Sequence, residues 1–233
     1  MAHAPRSISI LSTIAVDILV KQVVLPQAKE AGIEANIAWD PTTVLMRRVE
    51  GGERADAIIA TDEAIESLTA CGIVSAASTV AVAKAFIGIA VRQGEPRPDI
   101  STVTALKDAL LAARSVAYSR TGASGIYFAG LIQRLGIADA VNARATIIPS
   151  GFTAEMLATG DADLAIQQVS ELMTVAAAEI VGPLPDEVQT YANFSAAVFS
   201  DTPNQEAAAD FLALFRRADI RQVMPEYGLR DRA

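Results

Sequence analysis

The sequence predicts an α/β protein of two lobes, each built on a mixed, mainly parallel sheet flanked by helices. Three observations lead there. Short runs of β-branched residues alternate with segments of helical periodicity, the order that parallel strands joined by helical crossovers require. The alternation proceeds through the first part of the chain, breaks at a polar, Pro-rich stretch at residues 93–99, and then restarts. The 233 residues are 52% hydrophobic but only 5% aromatic, so the apolar mass is Ala, Val, Ile and Leu, which suits closely packed helices against β-branched strands.

Taken in order, residues 7–12 (SISILS) read as a short buried strand. Residues 14–31 carry apolar side chains at helical spacing and stop at Gly32. A strand at 33–39, a helix at 42–50 and a strand at 55–60 follow, then a helix that Asp62 caps and that ends near Cys71. A long strand at 81–91 leads into the Pro-rich loop. Beyond it come a helix at 103–113, a strand at 115–119, the loop Arg120-Thr-Gly-Ala-Ser-Gly125 and a helix at 126–135. A strand at 143–148, a helix at 153–158 and a strand at 162–168 repeat the alternation. The run at 181–185 (VGPLP) reads as a rigid turn. A strand at 191–200, a helix at 204–217 begun by Pro203, and an amphipathic helix from Asp219 complete the chain.

Composition closes several function classes. With 27 acidic against 19 basic side chains, the net charge of −8 offers no general field for nucleic acid or an anionic membrane surface. Cys71 stands alone, so neither a disulfide within the chain nor a cysteine metal site is available, and it reads as a packing residue. The single histidine, His3, lies near the N-terminus, which removes His-based triads and His-rich metal centres. No cofactor is expected, because the glycine-bearing loop at 120–125 lacks both the P-loop Lys and the dinucleotide fingerprint. The apolar stretches at 7–25 and 74–91 are interrupted by charged residues, so neither reads as an export signal or a membrane span. As written, the chain reads as a soluble protein of the compartment where it is made, or a periplasmic one if a signal sequence lies upstream.

In parallel α/β sheets ligands bind beyond the carboxyl ends of the strands, where helix N-termini present unpaired N–H groups. Three turns there carry hydroxyls: Ser12-Thr13, Thr42-Thr43 after Asp40-Pro41, and the 119–125 loop with Arg120, Ser124 and Gly125. Each pair of hydroxyls fits helix capping or anion binding. Arg120 is either a solvated surface arginine or a bidentate clamp for a carboxylate. At the end of the 162–168 strand Gln167 and Gln168 point to opposite faces, so at most one looks toward a ligand.

The order Thr42-Thr-x-Leu-x-Arg-x-x-Glu50, Ala55-Asp-Ala-Ile-Ile-Ala-Thr-Asp-Glu63, Ser124-Gly-Ile-Tyr127 and Leu157-Ala-Thr-Gly-Asp-Ala-Asp-Leu-Ala165 resembles the periplasmic molybdate-binding protein family across most of the chain. The resemblance implies a type II periplasmic-binding fold with a ligand cleft between its lobes. It places the crossovers near Lys84 and Ser195, so that lobe one takes residues 1–83 and 195–233 and lobe two takes 84–194. It carries oxyanion-binding hydroxyls onto Ser12 and Thr42, a backbone amide onto Ser124 or Gly125, and an aromatic onto Tyr191 or Phe194. The expected partner is a small anion, with an ABC permease if the protein is exported. Arg120 departs from a site of neutral donors and suits a carboxylate better than molybdate. Aconitate isomerases are similar to this group and move a proton along an allylic tricarboxylate without a cofactor. That reading needs a proton-transfer group, for which Asp40, Glu63, Lys84 and Tyr191 are the candidates.

Overall fold

The computed structural model describes residues 6–232, which leaves His3 outside the described residues. The chain divides into two compact units, one ending its first part at Lys84 and resuming at Ala192, the other running Ala85–Tyr191.

In the first unit, strands β1 (Arg6–Thr13), β2 (Ile33–Asp40) and β3 (Ala57–Thr61) are parallel with β1 in the middle, and β9 (Tyr191–Val198) returns antiparallel to β3. Period-two alternation decides which face each side chain takes. Leu11, Ile58 and Ala60 pack with Leu45 and Val49 of helix α2 (Thr42–Glu50) and with Ile65 and Leu68 of α3 (Asp62–Ala70). Ile10 and Ile59, on the other side, are equally buried. Each such side chain contributes about 1.5–3 kcal/mol through burial.

The helix expected at 14–31, α1, is not uniform. A 3-10 turn at Ile14–Val16 and an α turn at Asp17–Leu19 lead into a π segment at Val20–Val24, and α geometry resumes at Leu25–Glu30. Pro26 explains this: it has no N–H for the Gln22 carbonyl and its ring crowds that oxygen, so the preceding turn widens.

In the second unit, β5 (Val116–Ser119), β6 (Thr146–Ile148) and β7 (Leu164–Gln168) are parallel in the order β7-β5-β6, and the end of β4 (Val80–Arg92) runs antiparallel to β7. Its core sets Ile87, Ile89, Val116 and Ile166 against Leu106 and Leu110 of α4 (Val103–Ala112) and Phe128, Leu131 and Ile132 of α5 (Ala123–Arg134). An Ala-rich layer with Leu157 and Leu172 fills the other face.

Several boundaries differ from expectation. Residues 138–142 form a short helix, α6, so the strand expected at 143–148 shrinks to Thr146–Ile148. The next helix, α7, is Glu155–Thr159. The stretch read as a turn at 181–185 belongs largely to strand β8 (Ala178–Pro183), which pairs with β4. The helix expected at 204–217 splits into α9 (Gln205–Ala213), a 3-10 turn at Leu214–Arg216 and, after an extended Arg217, α10 (Ala218–Val223). Cys71 is exposed at the end of α3, not packed in the core. Among the described residues, no helix is long and apolar enough to cross a membrane, and no group of three or more His, Cys, Asp or Glu stands together to hold a metal ion.

Candidate functional site

The carboxyl ends of β1, β2 and β3 gather the first unit's candidates. Register sets Ser12 opposite Trp39 on β2 and Ile59 on β3, and Thr13 opposite Asp40. Ser12 is fully buried, and its hydroxyl makes one long bond to the Thr13 carbonyl (3.2 Å). Thr13 caps the first turn of α1, accepting from the Ala15 N–H at 3.5 Å. Helix α2 starts after Pro41 with no side-chain cap, and the buried Thr42 hydroxyl has no hydrogen-bond partner. Buried polar groups are nearly always hydrogen-bonded, so this hydroxyl at a helix start is a candidate donor. Thr43 follows on the same turn.

The charges around these hydroxyls are occupied. Asp40 accepts from Arg48, and Arg48 also grips Glu53 through two bonds of 2.6 and 2.7 Å, which raises the Arg48 pKa and lowers that of Glu53. Asp40 therefore neither caps α2 nor stands available as a base. Asp62 does not cap α3 either, since Thr61 holds the cap position. Its carboxylate takes two bonds from Arg232 (2.6 and 2.8 Å) and one from Ser195 (2.7 Å). Phe194 is a core residue whose carbonyl accepts from Arg232, so of the two aromatics only Tyr191, 42% exposed, is open to a ligand. Glu63 is exposed on α3, and Lys84 is half-buried on β4.

The second unit repeats the arrangement with different chemistry. Ser119 lies level with Ile148, at the common carboxyl edge of β5, β6 and β7. Helix α5 begins at Ala123, three residues earlier than expected, so Ser124 and Gly125 form its first turn and are buried. That turn rests on the end of β5: a Cβ on Gly125 would fall 1.8 Å from the Ser119 carbonyl oxygen, and the Gly122 N–H donates to Ser119 Oγ at 3.3 Å. Glycine at 125 is what lets the helix N-terminus sit directly over the strand end. Arg120 anchors its backbone N–H on the Ile148 carbonyl (2.9 Å) and leaves its side chain exposed, without a carboxylate partner among the described residues.

Of the two adjacent glutamines, Gln167 is engaged within the protein. Its oxygen accepts from Thr153 N–H (2.8 Å) and Thr153 Oγ1 (3.0 Å) and its nitrogen donates to the Gly151 carbonyl (2.9 Å), so it ties the 151–153 loop to β7. The neighbouring Gln168 has a buried Oε1 with no partner, as does the hydroxyl of Ser170 in the following short helix α8 (Val169–Leu172). Glu171 is also buried there. Burial pushes its carboxyl up to about 8, although bonds from the Gln167 side chain and the Gln168 backbone N–H work the other way. The sequence carried a sign of Glu171: a carboxylate three residues after the helix cap is half of a capping box. Its burial and the choice between two adjacent glutamines depend on packing that periodicity does not reveal.

Comparisons with known proteins agree with this architecture. The aconitate isomerase of a Pseudomonas species is 33% identical over 235 positions, taking in 98% of this chain and 89% of that protein. The periplasmic molybdate-binding protein of Azotobacter vinelandii shares the fold with a TM-score of 0.80 at 17% identity, covering 97% of this chain and 99% of that one. For the sulfate-binding protein of Mycobacterium tuberculosis the TM-score is 0.75 at 17% identity, with 97% and 87% covered. A family model matches residues 20–230, and the chain belongs to the bacterial extracellular solute-binding proteins.

Proposed function

We propose that the protein binds a small carboxylate anion and delivers it as the solute-binding partner of an ABC permease. The donors in this reading are Ser12, Thr13, Thr42 and Thr43 of the first unit and Arg120, Ser124 and Gly125 of the second, with Tyr191 as an aromatic wall. The observation that carries it is Arg120: a guanidinium with no carboxylate partner among the described residues, one residue past the end of β5 and beside the uncapped start of α5. A planar, permanently charged fork suits a carboxylate, which it engages through two parallel bonds. A thermal-shift screen tests this. Di- and tricarboxylates stabilise the native protein, and Arg120→Ala sharply reduces the gain at equal ligand concentration; stabilisation by molybdate or tungstate alone refutes the carboxylate.

A second reading, an isomerase of a small unsaturated polycarboxylate, is favoured by the 33% identity to an aconitate isomerase and by Glu171. An allylic shift needs a base that takes a proton from one carbon and returns it two carbons away as the double bond moves. A carboxyl group that titrates near neutrality is suited to both halves of that transfer. Incubating cis- or trans-aconitate with the protein in deuterium oxide gives isomerised, deuterated product under this reading. Unchanged aconitate despite tight binding leaves the protein as a receptor.

A further inference from the structure

We propose that the ligand carries an O–H hydrogen-bond donor beside its carboxylate, and that Gln168 Oε1, with Ser170, reads that donor. The inference rests on the carboxylate-binding reading above and narrows its ligand class.

The two residues are 4% and 1% exposed, and each holds an unpartnered polar atom at the carboxyl edge of β7. Extending the register of β7 on β5, where Ala165 pairs with Ala117, sets Gln168 level with Arg120. Two neighbouring donors are already committed: the Gln167 amide to the 151–153 loop, and the Gln168 N–H to Glu171. An amide oxygen is acceptor-only, so its missing partner is a donor. The first unit shows the same feature independently, since Asn193 Oδ1 on β9 is also shielded and unpartnered.

This pattern is wrong for a fully ionised tetrahedral oxyanion. Such an ion presents lone pairs on every side and is best met by donors alone; opposite an amide oxygen, two acceptors face each other. A carboxylate bearing a hydroxyl, or one whose second carboxyl keeps its proton, satisfies Arg120 and Gln168 together. A site with a buried polar group matched to a ligand O–H discriminates strongly against the analogue lacking it, because the group is then left unpaired.

Matched ligand pairs measured by calorimetry test the proposal: malate against succinate, and citrate against tricarballylate, at pH 7 and pH 5. If a hydroxyl is the donor, the hydroxylated member of each pair binds at least about tenfold tighter at pH 7. If a protonated carboxyl is the donor, the pairs bind equally at pH 7, and succinate and tricarballylate tighten by about tenfold at pH 5. Glu171 holds its proton through that range. Under either outcome Gln168→Met erases the discrimination while retaining binding, and Ser170→Ala weakens it. Equal binding of all four at both pH values, or discrimination that survives Gln168→Met, overturns the proposal and leaves the carboxylate reading standing. Binding of none of the four overturns that reading instead.

Discussion

The two units place similar backbone at their ligand edges, a parallel strand end followed by a helix start, but hold charge there in opposite ways. In the first, ionised groups are tied to one another: Asp40 and Glu53 to Arg48, Asp17 to Lys21, Asp62 to Arg232. The groups proposed to meet a ligand there are neutral, the hydroxyls of Ser12, Thr13 and Thr42. In the second, Arg120 has no carboxylate partner among the described residues, and the buried carboxyl of Glu171 is pushed toward its neutral form.

The largest expected consequence of the difference is in pH dependence. Glu171 keeps its proton in the folded state up to about 8, whereas the unfolded chain releases it near 4.5. Stability from this group is therefore full below about pH 4.5, declines as pH rises from there to about 8, and is flat beyond, a change on the order of 5 kcal/mol. Asp56 of the first unit has the opposite sign. Burial works to raise its pKa, but the Ser9 N–H and the side chains of Thr202, Ser9 and Asn204 lower it overall, so its contribution is lost in acid. Chemical denaturation across pH 4 to 9 checks both, with Glu171→Gln flattening the alkaline limb and Asp56→Asn the acid one.

Gly125→Ala comes next. Its Cβ would collide with the Ser119 carbonyl, so helix α5 must lift from β5, at a cost of about 3 kcal/mol measured by urea titration. Arg120→Ala leaves stability unchanged and weakens carboxylate binding by about 10- to 100-fold, as expected for a charge-assisted contact, read by calorimetry. Thr42→Val has the smallest effect, a loss of affinity of about fivefold with no loss of melting temperature, because its hydroxyl has no bond among the described residues.

Much of this was legible beforehand. The parallel strands and the sequence of elements along the chain follow from alternating periodicities; the order of the strands within each sheet does not. The partners of individual side chains were not. Asp62 looked like a cap and Asp40 like a candidate base, and their partners, Arg232 and Arg48, are brought to them only by the fold. Gln167 and Gln168 are indistinguishable in composition and adjacent in position; only the path of the 151–153 loop decides which amide is consumed. Pro26, by contrast, lies in plain view within a helical pattern, and the widened turn ahead of it is its direct consequence.

The most direct test of the central claim is isothermal titration of the purified chain with small di- and tricarboxylates and, separately, with molybdate. The account predicts saturable carboxylate binding near micromolar, about −8 kcal/mol, weakened about 10- to 100-fold in Arg120→Ala, and no comparable heat with molybdate. Tight molybdate binding that Arg120→Ala leaves unchanged, with no heat from any carboxylate, would contradict it.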